Sequence, residues 1–164
     1  MAGIASFMRV SRSQFEADWR EHFFSIPPWD ALRTPRRATY GSAGYDFFAP
    51  ADFMLDREAT LTIPTGFRAR IDPGWVLLLF PRSGLGFKYR MMLSNTVGVI
   101  DSDYFDARNE GHILIKLYNA GDSVLSVKAG EAFAQGVFLP YGITDDDRAD
   151  GKRIGGFGST GGML

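Results

Sequence analysis

The chain has no cysteine, which removes disulfides, thiolate zinc sites and cysteine nucleophiles from consideration. Histidine is almost as scarce. His22 and His112 are the two present, too few for a histidine-rich metal centre and poor material for a Ser-His-Asp triad. A metal that takes part in the chemistry is therefore expected to be a hard cation bound through oxygen, with magnesium the best fit. No apolar run approaches the roughly 20 residues that span a bilayer. The opening MAGIASFMRVSRSQFE also lacks the basic-then-apolar order of a secretory signal, so an intracellular, cytoplasmic protein is the expectation. Nor does one sign of charge dominate: 18 Lys and Arg stand against 19 Asp and Glu, for a formal net charge of -1. No general attraction to nucleic acid or to an anionic membrane is expected, and any phosphate-binding surface has to be local.

What is present suits one domain with its own core: 164 residues, 45% hydrophobic and 23% charged. One helix is evident near the start. Ser13 and Glu16 have capping-box spacing, Phe15, Trp19 and Phe23 recur on one face, and Pro27 and Pro28 end it. Its aromatic stripe is expected to pack on the main body. From Ala38 the texture changes to short β-rich runs divided by Gly, Pro and Asp, among them WVLLLFP, HILIKLYN and EAFAQGVFLP. Alternation at Leu61, Ile63 and Thr65, and at Ile113, Ile115 and Leu117, predicts a mainly β sandwich or barrel of antiparallel strands. The expected division is a helical extension over 1–37, a β body over 38–150 and a glycine-rich tail over 151–164. The tail is poor in apolar residues and is expected to be mobile in the free protein.

Five blocks carry chemistry. NTVGVIDSDY, Asn95 to Tyr104, delivers Asp101 at the end of a β-branched run, where a carboxylate can be held rigidly and still reach a ligand; taken alone, it reads more readily as a buried strand entering a turn. PRSGLGFKY follows an apolar run. Arg82 can fork onto phosphate oxygens, Ser83 offers a hydroxyl, and Gly84 and Gly86 let backbone amides approach an anion. GSAGYDFFA places Asp46 after a small-residue turn. GEAFAQGVFLP sets Gln135 among apolar neighbours, where its amide needs a partner. RIGGFGSTGG lacks Walker A spacing, yet Phe157 among glycines suits a lid that stacks on a base while Ser159 and Thr160 donate to phosphate and Arg153 adds charge.

In this order the blocks AGYD, PRSGLG, NTVGVIDSDY, GEAFAQ and GGFGSTG resemble the five motifs of the trimeric dUTPase family, over Gly41 to Gly161. The resemblance implies a jelly-roll-like β-barrel with an added N-terminal helix, assembled as a homotrimer with active sites at subunit interfaces. It implies hydrolysis of dUTP to dUMP and pyrophosphate with Mg2+ carried by substrate phosphates and water, rather than bound directly by the protein. Such an activity limits uracil incorporation into DNA and supplies dUMP for dTMP synthesis. By the same resemblance Asp101 is the general base. Asn95 and the backbone of Gly98, Val99 and Ile100 read uracil, and Tyr104 packs against the deoxyribose and excludes a 2′-hydroxyl. Arg82, Ser83, Gly84 and Gln135 hold phosphates, Asp46 supports the metal and water side, and Arg153, Phe157, Gly158, Ser159 and Thr160 form a lid from another subunit.

The chain departs from the pattern in three places. FDARNEG after Tyr104 is longer than the usual turn. RIGG is one residue short, which leaves Lys152 as a rival to Arg153; bidentate geometry favours Arg153. The first forty or so residues are an addition of unstated purpose. Two other readings compete. A dCTP deaminase relative would carry a glutamate where LIKLYN has Lys116. An interaction module would use the N-terminal helix and the FDARNEG loop.

Overall fold

The computed structural model describes residues 3–151; the proposed lid residues Arg153, Phe157, Gly158, Ser159 and Thr160, and Lys152, lie outside them. In chain order the elements are β1 (Ala5–Arg9), α1 (Arg12–Arg20), β2 (Arg36–Arg37), β3 (Tyr45–Phe48), β4 (Phe53–Leu55), β5 (Thr60–Pro64), β6 (Phe67–Ile71), β7 (Trp75–Pro81), α2 (Ser83–Tyr89), β8 (Met91–Leu93), β9 (Gly98–Ile100), β10 (Leu114–Asn119), β11 (Leu125–Val127) and β12 (Ala132–Pro140). The fold is mainly β and jelly-roll-like. A five-stranded sheet runs β2-β3-β12-β7-β9 and a three-stranded one β5-β10-β8, with the pairs β1-β6 and β11-β4 completing the walls. Every pairing is antiparallel.

The period-2 pattern places the core. In β10, Ile115, Leu117 and Asn119 point inward while Lys116 points out. They meet Leu77 and Leu79 of β7, Phe133 of β12 and Ile63 of β5 in one cluster of buried side chains. Asn119 is tolerated there because its amide is fully bonded: it donates to the carbonyls of Leu55 and Ser123 and accepts the Gly121 N–H.

The first 37 residues are more than a helical extension. β1 lies along the full length of β6, from Ala5 opposite Ile71 to Arg9 opposite Phe67. α1 then lays Phe15 and Trp19 onto Phe67, Val10 and Leu32 in a second cluster. Phe23 lies past the end of the helix but still stacks on Trp19, ring centroids 4.2 Å apart. Phe and Trp buried this completely are each worth about 3–5 kcal/mol against alanine, so α1 belongs to the fold. The N-cap is Ser11, whose hydroxyl accepts the Gln14 N–H, two residues earlier than the Ser13 capping box read from sequence. Glu16 pairs with Arg20 instead of reaching back to a cap.

Candidate active site

One end of the five-stranded sheet collects the anion-binding chemistry. Antiparallel register sets Arg36, Asp46, Gln135 and Phe80 in one row across β2, β3, β12 and β7. Arg82, directly after β7, donates through Nη1 to Asp46 Oδ1. The arginine side chain remains 36% exposed while the aspartate is 10% exposed, so a buried carboxylate orients a guanidinium that still faces solvent. Gln135 donates from Nε2 to the Pro81 carbonyl, 3.1 Å, which settles how an amide sits among apolar neighbours. Gly44 explains the link between the AGYD and GEAFAQ blocks: a Cβ there would lie 2.5 Å from Gln135 Oε1. PRSGLGFKY forms a short helix, α2, with Arg82 at its N-cap and Arg90 closing it in the left-handed conformation. The first amides of a helix have no intrahelical acceptor, which leaves those of Ser83 and Gly84 for an anion beside Arg82.

The run from Asn95 to Tyr104 is a crossover between sheets rather than a hairpin within one. β8 ends the three-stranded sheet and β9 ends the five-stranded one. The turn between them holds Thr96 at φ 66, with the Val97 N–H donating to the Asn95 carbonyl at 2.7 Å. At the seam lies a cavity of about 350 Å³, lined by Asn95, Gly98, Leu79, Leu93, Ser94 and Lys116 among others. That size is within the range of small-ligand sites. β9 pairs with β7 on one side and has no strand on its other side among the described residues. Its outer backbone groups can therefore read hydrogen-bonding edges of a ligand. Val99 is half exposed on it, while Gly98 and Ile100 are buried.

Asp101 is the N-cap of a 3-10 turn over Ser102–Asp106 and is partly buried. Within that turn Tyr104 is 2% exposed. Its N–H donates to the Asp101 carbonyl, 3.2 Å. Its hydroxyl donates to the His112 carbonyl, 2.8 Å, and accepts from Asn109 Nδ2, 2.8 Å. The tyrosine is thus buried, with its hydroxyl tied to the segment that carries Asn109 and His112.

Asp101 and Arg82 lie far apart along β7. Ile100 lies opposite Leu77, so Asp101 falls level with the start of β7, whereas Arg82 follows its end. At about 3.4 Å per residue that separation is roughly 20 Å. Sequence reasoning missed Lys116 as a cavity residue, although the alternation of LIKLYN had placed it outward. It also missed Asn109, Glu110 and His112, whose signal lay in the unusual length of the loop that carries the first two.

The geometry agrees with what the chain is similar to. A family model described as dUTPase matches residues 30–161. The deoxyuridine 5′-triphosphate nucleotidohydrolase of Lactococcus lactis subsp. lactis is 40% identical over 140 residues, 79% of this chain and 89% of the relative's own length. That of Tolumonas auensis is 41% identical over 135 residues, covering 77% and 86%. In three dimensions, dUTPase from Streptococcus mutans superposes with a TM-score of 0.66 at 34% identity, over 85% of this chain and 98% of that one. The dUTPase of phage phi11 of S. aureus, a protein described with a structural Mg(II) ion, shares the fold at 19% identity, with a TM-score of 0.65 over 91% of this chain and 98% of that one. A match of this extent, on a chain that carries the five blocks in order, shows that it belongs to the dUTPase family.

Proposed function

We propose that this chain hydrolyses dUTP to dUMP and pyrophosphate, as a cytoplasmic homotrimer whose active sites are shared between subunits. The observation that carries the reading is the division of the site. Asp101 leaves an edge strand beside a cavity holding Asn95, and a guanidinium-rich corner suited to phosphates lies roughly 20 Å away on the same chain. A second copy that brings its Arg82 corner to the first copy's Asp101 completes the constellation. The activity lowers the dUTP available for incorporation into DNA and supplies dUMP for dTMP synthesis.

In this reading Asn95 and the open backbone edge of Gly98, Val99 and Ile100 hold uracil in the cavity, and Tyr104 walls the deoxyribose. Arg82, the Ser83 hydroxyl, the amides of Ser83 and Gly84, and Gln135 hold the phosphate chain. Asp46 acts by orienting Arg82, since its carboxylate is committed to that contact. Asp101 accepts a proton from the water that attacks the α-phosphorus, and the oxygen bridging to the β-phosphate departs with pyrophosphate. Arg153, Phe157, Gly158, Ser159 and Thr160 close over the nucleotide from a further subunit and exclude bulk water. The cation is a hard one that arrives on the phosphates and keeps much of its water, so it needs few ligands from the chain. Magnesium carried on the phosphates would neutralise their charge and make the phosphorus more electrophilic, while Arg82 and Gln135 hold the chain in place.

Pyrophosphate release measured across dUTP, UTP, dCTP and dTTP tests the reading. dUTP should exceed each of the others by about 10²-fold or more in kcat/KM, the discrimination expected of a site with dedicated base and sugar contacts. Equal turnover of UTP would remove the role given to Tyr104, and ammonia released from dCTP would favour the deaminase reading despite Lys116.

A further inference from the structure

α1 and the FDARNEG loop, the two additions to the family pattern, are bonded to each other. The Glu110 carboxylate accepts both the N–H of Ser11, 2.8 Å, and its hydroxyl, 2.6 Å. It thereby grips the residue that caps α1. About two turns along, Asp18 accepts from Nδ1 of His112, a side chain with no exposed surface. The tautomer is set by the chain itself: His112 Nε2 accepts the Gly66 N–H at 2.8 Å, so the ring proton sits on Nδ1 and faces Asp18. Gln14 Nε2 donates to both oxygens of Asp18.

Both carboxylates are held below their ordinary values. For Asp18, burial pushes upward but is outweighed by the hydrogen bonds from His112 and Gln14; for Glu110 the cause is the Ser11 hydroxyl and amide. The ionised forms are therefore the ones that grip the helix.

The segment gripped in this way is the one that holds Tyr104. Between Glu110 and His112, Gly111 has φ +67, and a Cβ there would lie 2.6 Å from the Tyr104 carbonyl oxygen. Glu110 also has positive φ, at 58, so the loop is tightly folded against the tyrosine backbone. The residues on either side of this pair, Asn109 and His112, are those whose amide and carbonyl tie the Tyr104 hydroxyl. A wall that rejects a 2′-hydroxyl sterically is only as selective as it is stiff.

We propose that the N-terminal helix is a positioning element for sugar selection, with Asp18 and Glu110 as positioning residues that act through His112 and Asn109 to hold Tyr104 in place. The inference rests on the reading that Tyr104 walls the deoxyribose. It assigns the helix and the long loop one joint task in the enzyme.

The test is the ratio of kcat/KM for dUTP to that for UTP, measured by pyrophosphate release with magnesium. This ratio cancels any loss of folded enzyme. Asp18→Ala and, separately, Glu110→Ala should lower it by about 5- to 10-fold, the worth of one net hydrogen bond, chiefly because UTP turnover rises. Asp18→Asn, which still accepts from His112 Nδ1, should restore it. Glu110 lies near the surface, so Glu110→Ala alone decides the matter if Asp18→Ala fails to fold. A lower melting temperature with an unchanged ratio in the Asp18 and Glu110 variants would overturn the proposal and leave the helix a purely structural element. Tyr104→Leu, run beside them, separates the two levels. If Tyr104→Leu lowers the ratio while the helix variants do not, only the positioning role falls. If Tyr104→Leu leaves the ratio intact, the sugar-wall reading falls, and the positioning role with it.

Discussion

Asp101→Asn is expected to slow dUTP hydrolysis by roughly 10³- to 10⁴-fold, because it removes a general base and misorients the attacking water at the same time. The substitution is nearly isosteric. Asp101 makes no side-chain capping bond at the head of its turn. Affinity for dUTP, measured by calorimetry with magnesium under single-turnover conditions, should stay within a few-fold of the parent, as should the melting temperature. A variant that hydrolyses dUTP at near the parent rate would transfer the base to another group. A variant that no longer binds dUTP would make Asp101 a binding residue rather than the proton acceptor.

Truncation after Gly151 should be the second large effect, about 10²- to 10³-fold in kcat/KM, the scale associated with lids that exclude water and complete a constellation. It removes Arg153, Phe157, Gly158, Ser159 and Thr160 together. The buried hydrophobic residues that define the described core run from Val10 to Ala134, so the shortened chain should melt close to the full one. Kinetics and a thermal melt on the same preparation separate a lost lid from a lost fold. Activity near the parent level would show that the tail does not take part in turnover.

How much of this was legible from residues depended on the range of the interactions involved. The aromatic spacing of Phe15 and Trp19 marked α1 correctly because helical periodicity is local. Its start was misplaced because Ser11 is made the better cap by Glu110, 99 positions away, which no local pattern carries. β1 was missed for a related reason: its five residues gain strand character by pairing with β6, a non-local event. PRSGLGFKY reads as a loop because glycine weakens helices, yet it forms α2, which packs the partly buried Leu85 and Tyr89 against the core. Within the site, residue types announced themselves and partnerships did not. Arg82, Asp46 and Gln135 were recognisable separately. That Asp46 holds Arg82, and that Gly44 makes room for Gln135, required the register of β3, β12 and β7. Asn95 to Tyr104 was legible as a unit of function but not as a seam between two sheets, since a linear run does not reveal which strand each end will pair with.

The most direct measurement is the fate of oxygen from water. dUTP turned over with magnesium in ¹⁸O-labelled water should give dUMP carrying one label and pyrophosphate carrying none, the signature of attack on the α-phosphorus. Label in pyrophosphate, or release of orthophosphate with dUDP, would contradict the assignment of both the reaction and its attacking geometry.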